Sequence, residues 1–249
     1  GRGARFSLRC GDILLDYSKN LVTAETLRLL LALARRRDLA GWTARLFGGD
    51  RINLSEDRAA LHTALRAAGS ACVDGRDVTA DVKRTLAAMH DFCDGVRNGR
   101  LRGYNGRVFA DVVNIGIGGS HLGPALAVEA LAPYACPQLR VHFVSNVDAA
   151  HLATTLAGLN PETTLFIVSS KSFATLDTLA NARSAREWLL GRAVGAGAVA
   201  AHFAAVTARP AAAREFGIDD ARIFETWEWV GGRYALCSAT GLPVALSIG

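Results

Sequence analysis

A chain of 249 residues, half of them hydrophobic, is long enough to bury one or two cores. Its net charge of +5 is modest, and its arginines are scattered apart from Arg35, Arg36 and Arg37, so no basic stripe marks a nucleic-acid binder. Five widely spaced cysteines without a C-x-x-C, a basic start with no apolar stretch behind it, and no run of ~18 apolar residues argue against a disulfide framework, a secretory signal and a membrane span; the expected location is the cytoplasm.

The first hundred residues are expected to be mainly helical. "TAETLRLLLALARRRDLAGWTARLF" carries apolar residues at helical spacing from Thr23, a candidate N-cap, to Phe47. "SEDRAALHTALRAAG" opens with Ser55 and two acids, which suit the positive end of a helix, and stops at Gly69. "VTADVKRTLAAMHDFCDG" places Val78, Val82, Leu86, Met89 and Phe92 on one core-facing stripe.

After the turn-rich "RNGRLRGYNGR" the rhythm changes. "DVVNIGI", "VHFVSN", "TTLFIVSS" and "AAHFAAVTA" are short apolar runs, each followed by a helical pattern. That alternation predicts an α/β fold, a parallel sheet covered by helices on both faces. "AVGAGAVAA", residues 193–201, fits a helix–strand connection. The expected division is a helical segment over 1–103 and an α/β domain over 104–249.

Ligands of such folds bind outside the carboxyl ends of the strands, where three segments carry chemistry. In "NIGIGGSHLGP" (114–124), Gly116, Gly118 and Gly119 permit a tight turn and Ser120 adds a hydroxyl; a packing turn without ligand is the other reading. In "SSKSFAT" (169–175), Ser170, Ser172 and Thr175 with helix-start amides offer neutral donors to a phosphate, and Lys171 a compact charge. Only Lys19, Lys83 and Lys171 among the 28 basic residues are lysines. A serine-rich N-cap beside an exposed lysine remains the alternative. G-x-x-x-x-G-K-[ST] is absent, which favours a small phosphoester over a nucleoside triphosphate. In "WEWVGGRYALCSATG", two glycines precede Arg233, whose guanidinium suits charge developing on oxygen, or else pairs with Glu225 or Glu228. Of the six histidines only His121 adjoins one of these loops, and none forms H-x-x-x-H, so no metal is expected.

Taken in order, "LLDYSKN" (14–20), "LHTALR" (61–66), "DVVNIGIGGSHLGP" (111–124), "VSNVD" (144–148), "SSKSFAT" (169–175) and "WEWVGGRYALCSATGL" (227–242) resemble the glucose-6-phosphate isomerase family. The resemblance implies sugar-isomerase domains of flavodoxin-like α/β type, usually in a homodimer. It implies interconversion of glucose 6-phosphate and fructose 6-phosphate through an enediolate, in glycolysis and gluconeogenesis, without cofactor or metal. Carried over, Ser170, Lys171, Ser172 and Thr175 are the phosphate cradle, Gly119 and Ser120 touch the sugar, and Arg233 stabilises the enediolate. Ser172, His121, Ala235, Thr240 and Asp177 stand where the family usually has Thr, Asp, Ser, Ile and Glu. The family's catalytic glutamate, histidine and late lysine have no match, so the chain is expected to be an N-terminal piece, nearly inactive alone. Two rivals remain on sequence grounds: a regulator that senses a phosphosugar without transforming it, and a nicotinamide-dependent oxidoreductase suggested by "GIGGS".

Overall fold

The computed structural model describes residues 1–192 and 197–249. The chain divides into two compact units, Gly1–Arg45 and Leu46–Gly249. Residues 193–196 of the expected 193–201 connection lie outside the described residues.

In the first unit, a short helix α1 (Arg2–Arg5) leads into an antiparallel hairpin of β1 (Ser7–Cys10) and β2 (Ile13–Asp16). Helix α2 (Ala24–Arg36) starts at the expected cap: the Thr23 hydroxyl accepts from the Thr26 amide, and Thr26 reciprocates. The single helix expected to reach Phe47 is instead two. Asp38 takes a left-handed conformation (φ +51°), and its carboxylate accepts from the Gly41 amide at the start of α3 (Leu39–Gly48).

In the second unit, the helix expected from Ser55 does not form. Ser55 bonds to Asn53 (2.9 Å) and Asn53 to Glu56 (2.6 Å), so these side chains close a turn rather than cap a helix. Only His62–Arg66 winds into a 3-10 helix. After the two-residue strands β3 (Cys72–Val73) and β4 (Arg76–Asp77) comes α4 (Thr79–Arg97). Val78, Val82, Met89 and Phe92 are buried as expected, but Leu86 is 42% exposed. Thr85 occupies the buried face instead, because spacing of three then four residues from Val82 runs through Thr85 to Met89.

The sheet comprises β5 (Asp111–Ile115), β6 (Arg140–Val144), β7 (Thr164–Ser169), β8 (Phe203–Thr207) and β9 (Ile223–Glu225), all parallel, in the order β6-β5-β7-β8-β9. Its connections contain α5 (Leu122–Ala130), α6 (Ala149–Ala157), α7 (Leu176–Leu190), α8 (Ala198–His202) and α9 (Pro210–Phe216), and α10 (Leu242–Ile248) follows. Strand periodicity divides the core between two faces. Val113, Ile115, Phe166, Val168, Phe203 and Ala205 pack with Leu152, Ala182, Leu189 and Ala213. Val112, Leu165, Ile167, Ala204 and Val206 pack on the other side with Met89, Phe92, Val96, Leu242 and Leu246. This is the α/β, flavodoxin-like fold class expected. Helix α4 belongs to the same compact unit as the sheet. No helix among the described residues is long and apolar enough to cross a membrane.

Strand β5 lies between β6 and β7, so the connections leaving β5 and β6 run in opposite directions across the sheet. The crevice at the carboxyl ends of β5 and β7 is therefore the topological switch point. Residues 116–121 and 170–175 leave the sheet there.

Candidate functional site

The loop after β5 turns at Gly118, whose φ of +61° suits a residue without Cβ. The Asn114 side-chain amide donates to Ser120 O (3.0 Å) and closes the loop from within the sheet. At Gly119 the close neighbour is backbone: a Cβ there would sit 2.0 Å from Gly232 O. The glycine loop is thus in contact with the turn that carries Arg233.

The turn after β7 is fixed by its main chain. The Ser170 amide donates to Val206 O (3.0 Å), and Lys171 O accepts from the Ala208 amide (2.9 Å) and the Thr207 hydroxyl (3.2 Å). Phe173 is buried with φ +48°, a conformation unusual for a non-glycine residue, and its ring meets Phe216 edge-on. It anchors the turn from below while Ser172 is exposed above. The Thr175 hydroxyl lies 3.2 Å from Ser170 Oγ rather than capping α7. The first-turn amides of α7 therefore have neither an intrahelical nor a side-chain acceptor, which leaves the positive end of a 15-residue helix open to an anion.

These pieces enclose one cleft of about 260 Å3. Ile117, Gly119 and Ser120 form one wall, Ser169 to Ser172 with Thr175 and Thr178 the other, and Gly232 closes it. Six expected residues, Gly119, Ser120, Ser170, Lys171, Ser172 and Thr175, line this space together. Larger cavities of about 520 and 540 Å3 lie along α7, away from the glycine loop.

Arg233 follows Gly232, but its exposed side chain is not part of the cleft wall, and it has no ion pair or hydrogen bond among the described residues. The alternative pairing with Glu225 or Glu228 is not made. Glu228 is instead held by Arg58 (3.2 Å), Lys171 (3.5 Å) and Arg209 (3.1 Å). The Arg233 turn is braced by "LHTALR": the Leu61 amide donates to Trp229 O (3.0 Å), and His62 stacks on Tyr234 at 4.0 Å.

His121 does not line the cleft. Its ring packs edge-on against Phe143, and burial, with His151 nearby, pushes its pKa below the ordinary value. Sequence reasoning missed Arg58 and Arg209 and gave Glu228 only as a partner for Arg233; the fold gathers all three at Lys171 from stretches far apart in the chain. It also did not single out Ser169, the strand-end first residue of "SSKSFAT", or Thr178, which follows that motif in the first turn of α7. No cluster of three metal-ligating side chains occurs among the described residues.

Comparison with known proteins bears on this cleft. The profile of the Phosphoglucose isomerase family matches residues 16–249. The chain is 57% identical over its whole length to Glucose-6-phosphate isomerase 2 of Chromobacterium violaceum, and 52% identical to Glucose-6-phosphate isomerase of Methylococcus capsulatus. It spans 45% and 46% of those two proteins. A crystal structure of a glucose-6-phosphate isomerase from Chlamydia trachomatis, 28% identical, superposes with a TM-score of 0.83 over all of this chain and 47% of that one. With the family profile matched over nearly the entire sequence and the fold shared throughout, the chain belongs to the phosphoglucose isomerase family.

Proposed function

We propose that the chain forms the phosphoester-binding part of a glucose-6-phosphate isomerase. The observation that carries this reading is the convergence of the glycine loop, the hydroxyl-and-lysine turn and the Gly232 turn on one cleft at the switch point. In it, Ser170, Lys171, Ser172, Thr175 and the first-turn amides of α7 receive the phosphate. Gly119 and Ser120 face the sugar.

Isomerisation moves a proton from C2 to C1 while the carbonyl passes from C1 to C2, through an enediolate. Negative charge grows on oxygen in that step, and the unpaired Arg233 guanidinium, one residue from the cleft, is the group available to meet it. The step also needs a carboxylate base. No residue lining the cleft carries one among the described residues, and the reading assigns the base to the further length that the relatives possess. A cytoplasmic homodimer acting without metal or organic cofactor completes the proposal.

The test follows fructose 6-phosphate formation from glucose 6-phosphate by the full-length protein, with binding measured alongside. Turnover, and a Lys171→Ala variant that loses affinity for glucose 6-phosphate far more than for glucose, support the reading. Equal loss for both sugars would overturn the cradle. Binding of a phosphosugar without turnover by the full-length protein would favour a sensor.

A further inference from the structure

Two hydroxyls in the cleft wall are buried and unpartnered: Ser169 Oγ, on the last residue of β7 and 1% exposed, and Thr178 Oγ1, in the first turn of α7 and 0% exposed. A buried hydroxyl without a partner is unfavourable, and a helical threonine commonly avoids this by bonding the carbonyl four residues back. Thr43 and Thr155 do so, at 2.8 Å to Leu39 O and 2.9 Å to His151 O. Thr178 does not. The neighbouring hydroxyls have partners: Ser170 and Thr175 share one hydrogen bond, and Ser172 Oγ accepts from the Ala174 amide while its own O–H stays free to donate. Ser169 and Thr178 are the hydroxyls of the cleft whose oxygens are buried without any partner.

We infer that Ser169 and Thr178 are ligand-binding residues whose hydroxyls donate to the oxygens of a phosphomonoester dianion seated at the cleft floor. The inference rests on the phosphoester reading above and extends it beyond the four side chains of the 170–175 turn. A phosphate dianion accepts hydrogen bonds only, and a serine or threonine hydroxyl supplies the donor it needs without adding charge. Both residues stand where an anion meets the open amides of α7. A scaffold water is the competing partner, because a void of about 50 Å3 lined by Ser120, Ser169, Thr226 and Thr240 adjoins the cleft.

The two occupants predict opposite signs for stability. In the full-length protein, Ser169→Ala and Thr178→Val each remove an oxygen that has no protein partner, so the ligand-free Tm should hold or rise. The Kd for inorganic phosphate and for glucose 6-phosphate should weaken about tenfold per variant, as expected for a hydrogen bond to a charged group. Thr178→Ser keeps the hydroxyl and should keep the affinity. A lowered Tm with unchanged Kd would overturn the inference in favour of a structural water. Unchanged Kd in both variants, while Lys171→Ala loses binding, would overturn it and leave the cradle standing. If the unmodified protein bound neither probe, inference and functional reading would fall together.

Discussion

Lys171 Nζ lies 3.5 Å from Glu228 Oε2, a carboxylate that also takes Arg58 and Arg209. The pairs are partly exposed, so each contributes only about 0–1 kcal/mol to stability. Their consequence is for binding, because Glu228 and an incoming phosphate compete for the same ammonium. Glu228→Gln leaves Lys171 and Arg209 without an ion-pair partner among the described residues, while Arg58 keeps Glu56. It should tighten inorganic phosphate binding about two- to fivefold at low salt, with the gain fading as ionic strength rises. Calorimetric titration at two salt concentrations checks this. Weaker binding by the variant would mean that Glu228 positions Lys171 instead of competing for it.

Two adjacent glycines should respond differently to alanine. A Cβ on Gly119 would collide with the Gly232 carbonyl and push the glycine loop off the Arg233 turn, whereas a Cβ on Gly118 meets open space and strains only its φ of +61°. Both variants should lose about 1–3 kcal/mol of stability. Only Gly119→Ala should also lower the proposed isomerase kcat/KM of the full-length protein, by about 100-fold, since only it displaces one cleft wall from another. Denaturant unfolding alongside turnover separates the cases. Similar activity loss in both would indicate that the loop's backbone conformation matters more than its contact with Gly232.

Much of this architecture is legible in the sequence because its signals are local. Apolar runs such as "TLFIVS" end in hydroxyls or glycines, and that boundary is where each strand leaves the sheet. The three-residue β9 is too short to show periodicity, and the turn around Ser55 is set by side chains bonding one another. Leu86 is misassigned because a long apolar side chain at near-helical spacing looks like core until the buried line is seen to run through Thr85. In the cleft, "SSKSFAT" and "GIGGS" identify themselves by composition. The Glu228 cluster does not, since it exists only after residues 58, 171, 209 and 228 meet in space.

Arg233 is exposed and unpaired among the described residues, so its removal leaves no charge stranded and opens no cavity. Arg233→Ala should shift the Tm by no more than about 2 °C, within the range of ordinary surface substitutions. Under the proposed function, catalysis by the full-length protein should suffer instead, with kcat for glucose 6-phosphate reduced at least 100-fold and KM changed little, because the interaction strengthens as oxygen gains charge. Arg233→Lys should recover only part of the rate, lacking the fixed planar fork. A change confined to KM would assign Arg233 to ground-state binding.

His202 links the fold to pH. It is fully buried, with Nδ1 2.6 Å from Thr164 O and Nε2 3.0 Å from the Tyr104 amide. Both bonds are satisfied by one neutral tautomer, in which Nδ1–H donates and Nε2 accepts. Protonation would place a second N–H against the Tyr104 amide. Burial lowers the pKa despite the Thr164 carbonyl, and Arg222 adds to the effect. An unfolded histidine has a pKa of about 6.5, so between the lowered folded value and 6.5 the unfolded chain binds more protons. The contribution is therefore complete above about pH 6.5 and is lost as pH falls below it. His62 and His121 are shifted in the same direction, so the comparison must be between slopes. The unmodified protein should lose Tm from pH 7.5 to 5.5. His202→Leu should be less stable at pH 7.5, by about 2–4 kcal/mol for two lost buried bonds, and its Tm should decline less steeply. Parallel declines in the two proteins would show that His202 is not the group that titrates.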